Sequence, residues 1–505
     1  MQSNFLEIKS NPNAVKLADI PVIEYSEFKR EIEELFEDSS NHCLNYFAFP
    51  FQDKFKFLCF VGNDEKHNIS VFSFEKPKSE KITLDSITAK HFQFHIFERE
   101  MYENYGINFS NHPWLKPIRY PFNRSNPNNK IENYPFYSIE SDELHEVGVG
   151  PIHAGVIEPG YFRFICNGEN VLHLEINLGF QHRGIEKLFK EKQKILQQTI
   201  LAESIAGDTT VGHSTAYSLA AESLSNHKTS DELSIARTIA NELERIAVHI
   251  GDMAALCGDV AYQFGQVACE ALRTIIINTT QFWCGNRLGK GLIRLAGCNY
   301  QLTINAVNEI KRNIQEVEER FLQVTDRIFT LPSVLARFEL IGIVTKKQAE
   351  MIGAVGMAAR SSGLERDVRR SHQYLHYGKQ NYEPVILTKG DVLARALMRN
   401  EEVIKSIKII KDLLSNIDEI TNLPRPDYNL KFEPSSVAIS MVEGWRGEIC
   451  HTAVTDENGN LMHYKVKDPS LHNWLALALA VREQEISDFP LCNKSFNLSY
   501  SGNDL

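Results

Sequence analysis

The stretch TIANELERIAVHIGDMAALCGDV, residues 238–260, decides the fold class. Its apolar residues Ile239, Leu243, Ile246, Ile250, Met253 and Cys257 recur at steps of three and four. That spacing follows the turn of an α-helix, so all six share one stripe and predict a helix with one side in a core. The spacing returns in Ile314, Val317, Phe321, Val324 and Ile328. It returns again in Val403, Ile407, Ile410, Leu414 and Ile417, where Pro424 is expected to close the helix. Repeated stripes of this kind predict long helices packed near-parallel as a bundle. Beside the first stripe lies a second one of Glu242, Arg245, His249 and Asp252. A solvated face with an intrahelical Glu–Arg pair and an inter-helix polar network both fit it.

Around the helices the texture changes. YFRFICNGENVLHLEINL (161–178) holds two alternating runs about Asn167-Gly168, and TAVTDENGNLMHYKVKDP (452–469) two more about Asn458-Gly459. Asn-Gly accepts the positive φ of a tight turn, so both predict hairpins. Upstream, FKFLCFVG (55–62) and ISVFSFEK (69–76) read as strands joined by the polar NDEKHN. Between Pro113 and Pro135 stand five prolines and five asparagines, a composition hostile to helix and sheet interiors. The fold class expected is α+β. Residues 1–120 form an α/β domain, 121–145 a Pro/Asn-rich linker, and 146–505 a mainly α-helical bundle domain with small β-hairpin appendages.

Composition narrows the function classes. A net charge of −11 argues against a general nucleic-acid binder. The start, MQSNFLEIKSNPNAVKL, lacks a basic segment followed by an apolar run, so no secretory leader is expected. No apolar run reaches the roughly 18 residues of a membrane span. The nine cysteines are scattered and never spaced as C-x-x-C, which predicts reduced thiols in the core. Neither G-x-G-x-x-G nor G-x-x-x-x-G-K-[ST] occurs, so direct nucleotide binding has no support.

Several blocks carry a resemblance. EREMYENYGINFSNHPWLKPI (98–118) resembles the signature of the 30-kilodalton-type subunit of respiratory complex I. VGPIHAGVIEPGYFRF, LGFQHRGIEKLF, NELERIAVHIGD, RSSGLERDVRRSHQY, VEGWRGEICHTAVTD, KDPSLHNW and DFPLCNKSFNLSYSGNDL follow in the order of the 49-kilodalton-type subunit and of the large subunits of membrane-bound nickel–iron hydrogenases. Joined in one chain, they resemble the large subunits of the hydrogenase-4 and formate hydrogenlyase type. The resemblance implies a complex I-like oxidoreductase assembly with an iron–sulfur small subunit and antiporter-like membrane subunits. The chain would lie on the cytoplasmic face of the cell membrane, held there by its partners.

The resemblance also implies where chemistry would sit. In the hydrogenases two C-x-x-C pairs hold nickel and iron, since thiolates are soft, strongly donating ligands. The first pair falls on ESIAGDTTVGHSTAY, putting Ala206 and Thr209 in the ligand positions; the second falls on NLSYSGND, putting Ser499 and Gly502 there. No metal is therefore expected. In the complex I relatives a tyrosine, a histidine and an aspartate serve a quinone; those positions carry Gly207, Ile157 and Asp259 here, with His153 near the second. Glu203 and His213 flank the altered loop and read either as a proton relay or as hydrogen-bonded packing. Asp208 and His213 are two possible cation ligands, too few for a site. HRGIEK (182–187) lies near the iron–sulfur partner in the family. Arg360, Arg366, Arg369 and Arg370 read as structural or partner-facing rather than anion-binding. Two functions follow: electron transfer to a quinone-like acceptor, or a scaffold that couples an iron–sulfur subunit to membrane subunits.

Overall fold

A computed structural model describes residues 4–152, 158–415 and 417–505. Four long helices, Asp231–Asp259, Gln263–Cys284, Ile304–Ile328 and Val392–Leu414, pack in a ring in which each touches two others. The predicted stripes face inward: Ile239, Leu243, Ile246, Ile250, Met253 and Cys257 are all buried, as are the five of the Ile304–Ile328 helix. Three of the helices start on side-chain caps, with Ser230, Thr303 and Asp391 accepting from backbone N–H groups three residues on. The last helix ends at Leu414, ten residues before Pro424, so proline is not what closes it. Among the described residues, no helix is long and apolar enough to cross a membrane.

The α+β class holds, but the β structure is no appendage. Strands Asn13–Lys16, Ser436–Gly444, Gly447–Thr455 and Leu461–Lys467 form one antiparallel sheet, and every residue of the central two is buried. Sheets covered on both faces lose the polar alternation of a surface sheet, as AISMV (438–442) shows. The Thr210–Leu224 helix lies against this sheet with all residues buried except Ser223. Its small residues permit the approach: a Cβ on Gly212 would sit 2.9 Å from the Cδ1 of Ile449.

The amino-terminal unit is an antiparallel sheet in the order Leu6–Ile8, Asn68–Pro77, Lys54–Asn63, Asn41–Phe51, packed on helices Tyr25–Leu35 and His95–Tyr105. The two units interlock, because Asn13–Lys16 pairs with Ser436–Ile439 of the second. The hairpin Tyr161–Asn167/Asn170–Asn177 forms as expected, one residue off. Asn167 pairs with Asn170, so Gly168, at φ +56°, and Glu169 make the turn.

Candidate functional site

Strands Ser436–Gly444 and Gly447–Thr455 pair up to Gly444↔Gly447, leaving Trp445 and Arg446 as a two-residue turn. That turn aims Arg446 at the loop ahead of the Thr210–Leu224 helix. Its two terminal nitrogens each donate to one Asp208 carboxylate oxygen at 2.7 Å, and Nη1 reaches Thr209 Oγ1 at 3.2 Å. Its Nε donates to the Asn497 carbonyl at 2.5 Å, and Trp445 Nε1 donates to the Asp208 carbonyl at 2.9 Å. Arg183 adds a second clasp, donating to the carbonyls of Ser204, Ile205 and Ser501. The two altered loops, some 290 residues apart in sequence, thus meet in space.

The four positions assigned to metal ligands, Ala206, Thr209, Ser499 and Gly502, are all buried. Ser499 caps the terminal helix Tyr500–Asp504 by accepting from Gly502 N at 2.8 Å. A Cβ on Gly502 would lie 2.5 Å from Asp468 Oδ2 and 2.6 Å from its Cγ. The Asp468 carboxylate therefore fills the space a side chain at 502 would need. Gly207 differs: it is exposed, and a Cβ there would meet nothing within 4 Å.

From Asp468 a buried row of hydrogen-bonding groups runs inward. Its Oδ2 lies 3.0 Å from His213 Nε2, His213 Nδ1 lies 3.1 Å from His451 Nε2, and His451 Nδ1 lies 2.8 Å from the Tyr464 hydroxyl. One proton per imidazole satisfies every contact in a single direction, from the tyrosine O–H to the carboxylate. Burial opposes ionisation of Asp468, but the His213 hydrogen bond and the Arg446 charge outweigh it and hold its carboxyl below the usual range. Burial, then the nearness of His213, pushes His451 well down; burial raises Tyr464.

The expected residues divide. His213 belongs to this row. Glu203 does not reach it: its carboxylate takes Arg294 Nη1 at 2.6 Å and Gly291 N at 2.5 Å, so no Glu203–His213 relay forms. Asp259 is exposed at the carboxyl end of its helix. The carboxylate of that helix which reaches the loops is Asp252, two turns earlier, bonded to Asn497 Nδ2 at 2.6 Å and to Arg399 Nε at 2.9 Å. The helix geometry explains the difference, since the Glu242–Asp252 stripe faces neighbouring elements and Asp259 lies past the packed region. That stripe is an inter-helix network: Glu242 accepts from Ser406 and Tyr377, and Arg245 donates to the carbonyls of Glu443 and Gly444. His153 and Ile157 lie outside the described residues.

Asp208 pairs with Arg446 rather than with His213. HRGIEK turns partly inward: His182 Nδ1 meets the Asp504 carbonyl at 2.8 Å, and the backbone N–H groups of Arg183 and Gly184 donate to Leu505. Sequence reasoning missed Glu244, whose oxygens accept from Val211 N at 2.7 Å and Gly212 N at 3.1 Å at the start of the Thr210–Leu224 helix. Burial pushes its carboxyl up to about 8. The nickel–iron group does not fit these residues. All nine cysteines are buried and unpaired, the four assigned positions offer no thiolate, and Asp468 fills the space beside Gly502.

Family models for the respiratory-chain NADH dehydrogenase 30 Kd subunit match residues 23–134 and for its 49 Kd subunit residues 259–433. The chain fuses these two complex I families. The 49 Kd match stops short of both altered loops. The carbon monoxide-induced hydrogenase of Rhodospirillum rubrum is 28% identical over 70% of this chain and 97% of its own. Formate hydrogenlyase subunit 5 of Escherichia coli (strain K12) is 26% identical over 75% of this chain and 67% of its own. The solved structure of the membrane-bound sulfane sulfur reductase, an archaeal respiratory membrane complex, matches with a TM-score of 0.66 at 22% identity. It covers 73% of this chain and 100% of that one, a likeness of fold.

Proposed function

We propose that this chain is a scaffold and coupling subunit of a membrane-associated, complex I-related assembly, with its hydrogenase-type centre closed by its own side chains. The observation that carries the reading is the Asp468 carboxylate beside Gly502, locked to His213 at 3.0 Å. A ligand-bearing residue at 502 would collide with it. Across the same volume Arg446 and Asp208 form a bidentate ion pair, the strongest side-chain pairing available for closing two loops. The fold's apolar stripes are retained, so the subunit keeps its shape without the metal. The partners proposed are an iron–sulfur small subunit and antiporter-like membrane subunits, which would hold the chain at the inner face of the membrane. The experiment is affinity purification of the tagged full-length chain from solubilised membranes. Recovery of both partner types supports the reading; recovery of the chain alone from the soluble fraction contradicts it.

A second reading rests on the Asp468–His213–His451–Tyr464 row. A unidirectional row of hydrogen bonds suits proton delivery, which would serve reduction of a quinone-like acceptor supplied with electrons by the iron–sulfur partner. In that case the purified complex would reduce a soluble quinone, and His213→Ala would abolish the reduction while leaving the subunits assembled.

A further inference from the structure

A cavity of about 720 Å³ lies where the two units meet, within the range of roughly 300–1,000 Å³ for small-molecule sites. One wall is the His95–Tyr105 helix, another the Pro-rich segment from Pro113, and the others the Asn170–Asn177 strand and the Ser470–Ala480 helix. Ile118, Leu174, Leu471, Leu475 and Leu479 make most of its lining apolar. Into this lining are set polar groups that the protein leaves unanswered. His95 is 1% exposed, and among the described residues neither of its ring nitrogens has a hydrogen-bond partner. The buried indole N–H of Trp474 has none either.

Besides the Lys116–Glu175 ion pair and the exposed Arg482, the charged member of the lining is Arg99. It is 5% exposed, and among the described residues it forms no ion pair. Its Nε and Nη2 donate to the carbonyls of Lys116 and Pro117 at 2.7 and 2.8 Å, its plane stacks on Trp114 at 4.1 Å, and among the described residues its Nη1 has no hydrogen-bond partner. The neighbouring carboxylates are engaged elsewhere. Glu103 accepts from the backbone of residues 118–120, and Glu175 takes Lys116, the Tyr134 hydroxyl and Tyr137 N. A buried guanidinium with neutral acceptors only is costly in an apolar wall, and an anion on its free edge offsets that cost.

We infer that this cavity binds an amphipathic monocarboxylate, an apolar body with one anionic head, whose carboxylate meets Arg99. Lys116 is answered by Glu175 and Arg482 is exposed, so the buried guanidinium is the charge that one carboxylate balances inside the cavity. The site is independent of the closed loops and of the reading given to them.

The test titrates the full-length protein with decanoate and, separately, with decanol, following the fluorescence of the cavity tryptophans and the heat of binding. Decanoate is expected to saturate one site per chain at least about tenfold more tightly than decanol, as a charge-assisted hydrogen bond implies. Arg99→Gln is expected to remove that preference while decanol binding stays, and Leu475→Trp, which fills the cavity, to remove both. Should Arg99→Gln unfold through loss of its carbonyl contacts, the decanoate–decanol comparison and Leu475→Trp still decide. Equal affinity for the two probes, no saturable binding of either, or unchanged binding in Leu475→Trp overturns the inference.

Discussion

Two buried polar regions face each other across the sheet that ends in the Trp445–Arg446 turn, and they solve the burial of charge differently. On the bundle side, Arg360 and Arg369 share Asp367 and Glu402, Arg360 also holds Glu443 at 2.7 Å, and Arg245 pairs with Glu242. Burial, then the nearness of Asp367, pushes the Glu443 carboxyl up. On the loop side the core is a row of two imidazoles and a tyrosine ending on one carboxylate, and the Asp208–Arg446 ion pair stands at the edge: Asp208 is 41% exposed, Arg446 only 4%. The first region is an interlocked lattice in which each charge is answered several times. The second is a plug, in which a few side chains close the space around the two loops. A lattice resists any single loss poorly, while a plug tolerates modest change.

That contrast predicts a ranking. The largest effect belongs to Arg369→Met in the lattice, which leaves Asp367 and Glu402 short of a partner. It is expected to cost about 3–5 kcal/mol in urea unfolding, and a cost below 1 kcal/mol would dissolve the distinction drawn here. Next comes Gly502→Ala in the plug. The added methyl forces Asp468 off its position, costing about 1–3 kcal/mol, and the His213 imidazole resonance should shift with it.

Smaller still is a pH effect at Glu244. Its folded carboxyl, raised to about 8, binds a proton that the unfolded chain releases near pH 4.3–4.5, so stability should fall as pH rises from about 4.5 to about 8. Glu244→Gln is expected to flatten that fall by on the order of 1 kcal/mol between pH 7 and 8.5; an unchanged slope would assign the titration to another group. The smallest effect is reserved for the surface pair of Glu316 and Arg320, both about half exposed. Glu316→Gln should move the unfolding midpoint by no more than about 0.5 kcal/mol.

Much of the architecture is legible in local pattern. The stripes of residues 239–257 and 314–328 specify buried helices because a helix carries its own hydrogen bonds and needs only one apolar face. The buried sheet is harder to read: Asn13–Lys16 is four residues of no marked pattern, and its place beside Ser436–Ile439 is set by tertiary pairing. The two loops are recognisable by the residues that carry the resemblance, but their contacts are not. Asp468 meets His213 across 255 positions and Arg446 meets Asp208 across 238, so no window of sequence contains either contact. For Glu203 and Asp259 the deciding information is likewise tertiary. Each sits at the right distance along its own element, and only packing shows that one is claimed by Arg294 and the other faces outward. Arg99 carries no local sign that its charge is unmatched.

The central claim is that the hydrogenase-type centre is closed, and elemental analysis of the purified intact assembly tests it most directly. Nickel at background level, with iron accounted for by the iron–sulfur partner, is the predicted result. One nickel per chain, retained through gel filtration, would contradict it.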